Sequence, residues 1–226
     1  SVGIAKDGEL LSLRESDEGR DHARKVGVFV DELLRETGIV PDDLDAVAVG
    51  KGPGSYTGLR IGVSFAKGLC YGLQKPLVAV GSLDALVEVA REDHEAGILA
   101  VDGWDGAYLC PMVDARRMEV YAQVFDAGGR PQGEVSAEVV GEGSFAAFRG
   151  QGRPFVIFGS GARKCPRPGA AGPAGPRRRP HGGHRLFRAL LSERFRRYDI
   201  PQEAVLTGCR QYDRNGPREA PVGAVS

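Results

Sequence analysis

Residues 56–73 read YTGLRIGVSFAKGLCYGL, an apolar stretch at helical spacing with glycine at 58, 62, 68 and 72. A glycine inside a helix costs about 1 kcal/mol relative to alanine, so the set costs on the order of a few kcal/mol. A sequence that keeps such a helix must gain from close packing of its smooth sides. Gly58, Gly62 and Ala66 lie four apart and form one stripe without side-chain bulk; Ser64, Gly68 and Gly72 form a second. Leu59, Val63, Phe65, Leu69 and Leu73 supply apolar bulk between them. A smooth stripe lets another backbone approach and gain dispersion contacts. The expectation is that one stripe packs on the protein's own sheet and the other is available to a partner's helix.

The flanking pattern supplies the sheet. Asp7-Gly8 tolerates the positive φ values of a tight turn, so residues 2–14 read as a β-hairpin. Residues 20–36 follow as an amphipathic helix, with His22, Val26, Phe29, Val30, Leu33 and Leu34 on one face and a stop at Gly38. Residues 44–49 read as a strand. The turn Gly52-Pro53-Gly54 leads into the glycine-bearing helix, with Ser55 or Thr57 placed to cap it. A strand at 76–80 and a helix at 83–92 continue the alternation, which indicates an α/β domain. Strands are expected at 108–113, 118–125, 133–140 and 154–158.

Net charge hides an asymmetry. Residues 1–159 carry 16 basic and 25 acidic side chains; residues 160–226 carry 14 basic and 5 acidic. After Cys165 the texture becomes PRPGAAGPAGPRRRP, which cannot bury enough apolar area to order itself, so disorder is expected there. The thirteen arginines from 160 onward also allow nonspecific phosphate contact. The four cysteines are widely spaced with no C-x-x-C, which fits reduced thiols in the cytosol rather than a disulfide frame. No apolar run reaches the roughly 18 residues of a membrane helix.

Motifs for chemistry are sparse. The turn at 52–58 is neither G-x-x-x-x-G-K-[ST] nor G-x-G-x-x-G, and Pro53 breaks G-x-S-x-G. His22 reads as a packing or partner-contact residue and His94 as solvated. Asp102 and Asp105 flank Trp104 in what reads as a surface turn. Asp114-Ala-Arg116-Arg117 joins two strands: either a tight turn with Asp114 accepting local backbone bonds, or a fixed charge cluster facing a partner or ligand.

Three segments together resemble one family: VAVGKGPGSYTGLRIGVSFAKGL at 47–69, PMVDARRMEVYAQVFD at 111–126 and FGSGARKC at 158–165. They are similar to TsaB (YeaZ-like), the non-catalytic subunit of bacterial threonylcarbamoyladenosine synthesis on tRNA, over about residues 1–165. The resemblance implies an actin/Hsp70-like (ribonuclease-H-like) α/β fold in two lobes. Residues 1–100 would be the first lobe, 101–165 the smaller second lobe and 166–226 an atypical basic tail. It implies a cytoplasmic subunit with no catalytic residues and no tightly bound cofactor, with ATP and metal on its partners. Those partners would be a TsaD-like catalytic paralogue, a TsaE-like ATPase, a second copy in isolation, and tRNA through the complex. Docking would use the first two helices, with His22, Val26, Phe29, Val30, Leu33, Gly58, Arg60, Gly62, Phe65, Ala66 and Leu69 at the interface. Gly52, Pro53, Gly54, Ser55 and Thr57 would form a structural turn. A phosphotransferase or peptidase of the same superfamily is the alternative reading. Two departures stand out. The family's opening strand precedes the point where this chain starts, so the first sheet is expected to lack a strand. The family's ending is not recognisable after Cys165, a texture that a shifted reading frame or a basic extension would produce.

Overall fold

A computed structural model describes residues 1–16, 22–141, 143–149, 151–165, 205–208 and 223–225, and for residues 22–24, 205–208 and 223–225 the backbone only. The expected disorder of 166–180 lies outside the described residues. The first half of the chain runs β1 (Val2–Lys6), β2 (Glu9–Arg14), α1 (His22–Thr37), β3 (Ala46–Gly52), α2 (Tyr56–Leu73), β4 (Leu77–Gly81) and α3 (Ser82–Glu95). There follow β5 (Tyr108–Asp114), β6 (Glu119–Ala122), β7 (Phe125–Asp126), β8 (Ser136–Val139), α4 (Ala146–Arg149), β9 (Phe155–Phe158), β10 (Val205–Gly208) and β11 (Gly223–Val225). Two compact α/β units result. The division falls between Ala85 and Leu86, inside α3, whereas the sequence suggested a boundary after residue 100.

The first unit holds a five-stranded sheet in the order β2-β1-β10-β3-β4. Asp7 and Gly8 close the β1–β2 hairpin at φ 53° and 82°, the left-handed values expected of Asp-Gly. The sheet is not short of a strand: β10 lies between β1 and β3, antiparallel to the first and parallel to the second. Helix α1 stops at Gly38, whose φ of +70° suits glycine. Arg14 on β2 reaches Glu32 at 3.3 Å and also pairs with Glu36, tying α1 to the hairpin. These exposed pairs contribute at most about 1 kcal/mol each. Apolar burial does more: Val2, Ile4, Val30, Leu33, Leu44, Val47, Val49, Ala66 and Cys70 form one core between sheet and helices.

The second unit is built on the order β11-β9-β5-β6-β8. Every residue of β5 except Asp114 is buried, as expected of a central strand covered on both faces. The single strand expected at 118–125 is two. β6 pairs with the end of β5 (Met112–Asp114) and β7 with its start (Tyr108, Leu109). Tyr108, Met112, Val120, Val124 and Phe155 belong to its core, and Phe145 and Phe148 pack against it from around α4, which the sequence reading did not contain. His94 is not simply solvated: its ring stacks on Trp104 at 4.1 Å, and its Nδ1 lies 2.9 Å from the Leu99 carbonyl oxygen. Among the described residues no helix is long and apolar enough to cross a membrane.

Candidate functional site

The two glycine stripes of α2 have different surroundings. A Cβ at Gly62 would stand 3.9 Å from Val49 of β3, and Ala66 is buried, so the stripe Gly58–Gly62–Ala66 turns toward the protein's own sheet and start of helix. Among the described residues a Cβ at Gly68 or Gly72 would meet nothing within 4 Å, and Ser64 is exposed with them. The second stripe is therefore open. Tyr71 beside it is 82% exposed, and Tyr56 in the first turn is 74% exposed with Arg60 over its ring at 5.5 Å. The two rings stand at opposite ends of the helix, Tyr71 next to the open stripe and Tyr56 in the first turn.

This placement corrects several interface expectations. Val30, Leu33 and Ala66 are buried in the core and cannot serve an outer face; Gly62 is half-buried, with Val49 at ordinary contact distance from the place of a Cβ. The helical period was read correctly, but it marks the core-facing side, because both helices bury their apolar stripe against their own sheet. Val26, Phe29, Phe65 and Leu69 are half-buried and pack against that core; Gly58 is half-buried beside Ser55, and Arg60 is exposed. The side chain of His22 lies outside the described residues. One contact the sequence reading missed is Gly27, where a Cβ would stand 3.5 Å from the Phe65 ring. It is the point where α1 comes close to α2, and its signal was a glycine next to Val26 inside a helical pattern.

The turn before α2 works as a helix start. Gly52 has φ +95°, and a Cβ there would press on Leu59 Cδ1 at 3.0 Å. Pro53 and Gly54 are half-buried; Ser55 and Thr57 are exposed. Ser55 rather than Thr57 is the cap: its Oγ accepts from the Gly58 N–H at 3.4 Å.

In the second unit, Asp114, Arg116 and Arg117 do come together at the β5–β6 hairpin tip. The Asp114 Oδ1 accepts from the Arg116 N–H at 2.7 Å and from Lys164 Nζ at 2.7 Å. Lys164 also donates to the Glu119 carbonyl at 2.9 Å, and Ser160 Oγ accepts from the Asp114 N–H at 3.1 Å. Burial pushes the Asp114 carboxyl up, but the Lys164 ammonium and the Arg116 N–H outweigh it and hold the group below its ordinary 3.8. The loop 159–161 reaches this point only as glycine: a Cβ on Gly159 would collide with the Met112 carbonyl oxygen. The turn reading, with Asp114 accepting local backbone bonds, is what the geometry shows. Arg116 and Arg117 take φ of 74° and 47°, and both are exposed. A left-handed backbone costs a non-glycine residue on the order of 1–2 kcal/mol. Among the described residues neither guanidinium has a hydrogen-bond or ion-pair partner, so no such bond within those residues offsets that cost. Among the described residues no three His, Cys, Asp or Glu side chains are grouped to hold a metal ion.

Comparison with known proteins gives a consistent answer. The family described as "TsaD: tRNA N6-adenosine threonylcarbamoyltransferase" matches residues 16–147. The chain is 34% identical over 121 residues to "tRNA threonylcarbamoyladenosine biosynthesis protein TsaB" of Haemophilus influenzae, covering 54% of this chain and 47% of that protein. It is 38% identical over 106 residues to the protein of the same name from Bacillus subtilis, covering 47% and 41%. It is also 47% identical over 76 residues to the tRNA N6-adenosine threonylcarbamoyltransferase of Nitratidesulfovibrio vulgaris, covering 34% and 21%. Among solved structures, YeaZ from Pseudomonas aeruginosa superposes with a TM-score of 0.47 at 28% identity, over 61% of this chain and 62% of that one. The chain spans about half the length of the curated TsaB relatives it matches. With more than half of its residues inside the family match, the chain belongs to the TsaD family, and TsaB proteins are among the relatives it is similar to.

Proposed function

We propose that this chain is a non-catalytic scaffold subunit in tRNA threonylcarbamoyladenosine synthesis, and that it binds and activates a TsaD-like catalytic paralogue. The observation that carries the reading is the open stripe Ser64–Gly68–Gly72 with Tyr71 beside it. A helix that tolerates glycine on a side touching nothing among the described residues is suited to receive another helix at short range. The reading places a TsaD-like helix, or a second copy of this chain in isolation, on that side. A TsaE-like ATPase and tRNA would join through the assembled complex in the cytoplasm, with ATP and metal held by the partners. The names of the TsaB and TsaD relatives support the pathway assignment.

Gly68→Arg tests the reading. The site has room for a side chain, and leaving glycine favours the helix, so the variant is expected to fold. Co-purification with a bacterial TsaD-like protein should fall by at least tenfold while circular dichroism is unchanged. Retained pairing by a folded Gly68→Arg variant would sink this interface. Titration calorimetry with ATP addresses the phosphotransferase alternative: tight binding by the isolated chain would revive it.

A further inference from the structure

The β5–β6 hairpin tip has no part in the pairing surface just described, and its arginines are unexplained by any hydrogen bond or ion pair among the described residues. We propose that Arg116 and Arg117 form a contact for the phosphate backbone of an RNA, so that this chain itself helps to hold the tRNA on which the assembly acts. The proposal rests on the functional reading above for the identity of the RNA.

Three observations lead there. The guanidiniums are exposed at one tip, held at adjacent residues whose backbone is fixed in the left-handed region. That backbone is anchored: Arg116 N–H donates to Asp114, which Lys164 clamps in turn, and the Glu119 N–H closes the turn on the Arg116 carbonyl at 3.0 Å. Locally the charge is positive. Asp114 and Lys164 neutralise each other, which leaves Arg116 and Arg117 against Glu119. Residues 1–159 otherwise carry an excess of acidic side chains. A polyanion is repelled by most of such a body and admitted where the sign reverses. Guanidinium forks bind phosphate oxygens in pairs, and contacts of this kind position a nucleic acid without reading its sequence.

The test measures binding of unfractionated bacterial tRNA to the full-length chain across a salt series. The variant is Arg116→Asn with Arg117→Gly, which removes both guanidiniums and installs residues that favour the left-handed backbone. The expected result is a slope of log K against log salt that is shallower by about 1 for each arginine lost, with a thermal midpoint no lower than the parent's. The basic residues beyond 165 are common to both proteins, so the difference reads the hairpin. Arg116→Lys with Arg117→Lys should restore most of the slope, because phosphate neutralisation needs charge first. A second measurement needs no variant. In the parent chain, tRNA should protect Arg116 and Arg117 from phenylglyoxal, read by mass spectrometry. An unchanged slope in the folded Asn/Gly variant overturns the proposal, as does equal modification with and without tRNA. Pairing with a TsaD-like protein is scored on the same variant. An unchanged slope with pairing lost would overturn the RNA contact and make the pair a protein contact. Hairpin-dependent tRNA binding in a chain that pairs with no TsaD-like protein would support the contact and sink the functional reading alone.

Discussion

Helix α2 and the β5–β6 hairpin tip break local preference in opposite directions. The helix keeps glycine where its backbone would favour a side chain, and the hairpin tip keeps arginine where its backbone would favour glycine. Natural sequences mostly agree with their local structure, and the exceptions gather where something else is selected. In α2 the deficit is offset on one side only, where Gly62 and Ala66 let the helix settle on β3. On the other side the added Cβ would meet none of the described residues, and at the hairpin tip the backbone is hydrogen-bonded while the two guanidiniums have no hydrogen-bond or ion-pair partner among the described residues. The lesson is that a residue in conflict with its backbone becomes informative once its neighbours are known: filled surroundings mean packing, and empty ones point outward.

Substitutions can break or sharpen that contrast, and urea denaturation reads all of them. Gly62→Arg should destabilise most, by about 1–3 kcal/mol, because the side chain must enter the seam between α2 and β3. A neutral Gly62→Arg would erase the distinction between the two stripes. Arg116→Asn with Arg117→Gly should stabilise by on the order of 1–3 kcal/mol through relief of two left-handed arginines. No gain in the urea midpoint would show that the tip is not strained. Gly68→Ala and Gly72→Ala should each stabilise by about 0.5–1 kcal/mol, since the added methyl meets nothing and helix propensity rises. Loss of stability in either would mean that the open side is already occupied. Asp114→Asn should cost least, below about 1 kcal/mol near neutral pH, because the group is half exposed. The folded carboxyl titrates below its unfolded value, so its contribution is present above 3.8 and is lost as pH falls through the folded value. Parent and Asp114→Asn should therefore converge in strong acid; a gap that persists there would mean the effect is not the Lys164 pair.

Much of this was legible in the chain. The Asp7-Gly8 hairpin, the span of α2 and the alternation of strands with helices follow from turn chemistry and periodicity, which act over a few residues. Two smooth stripes were visible in the spacing of Gly58, Gly62, Ser64, Gly68 and Gly72. Which stripe faced inward was not, since that depends on where β3 lies beneath the helix. The interface list failed for the same reason at Val30, Leu33 and Ala66, where apolar period and outward face were conflated. The Lys164 clamp on Asp114 joins residues fifty positions apart and left no local signal. Nor did the stacking of His94 on Trp104, which needs the turn between them.

The place of β10 has a consequence for how the first unit comes to fold. Its sheet is composed of two ladders, β2-β1 and β3-β4, that among the described residues are joined by strand pairing only through Val205–Gly208. A ribosome delivers those four residues more than a hundred positions after β4. Until then the hairpin and the β3-α2-β4 segment have no strand to join them, and the long closure must come late and slowly. The unit that holds β1 to β4 is therefore one whose sheet cannot be completed until Val205–Gly208 have been made.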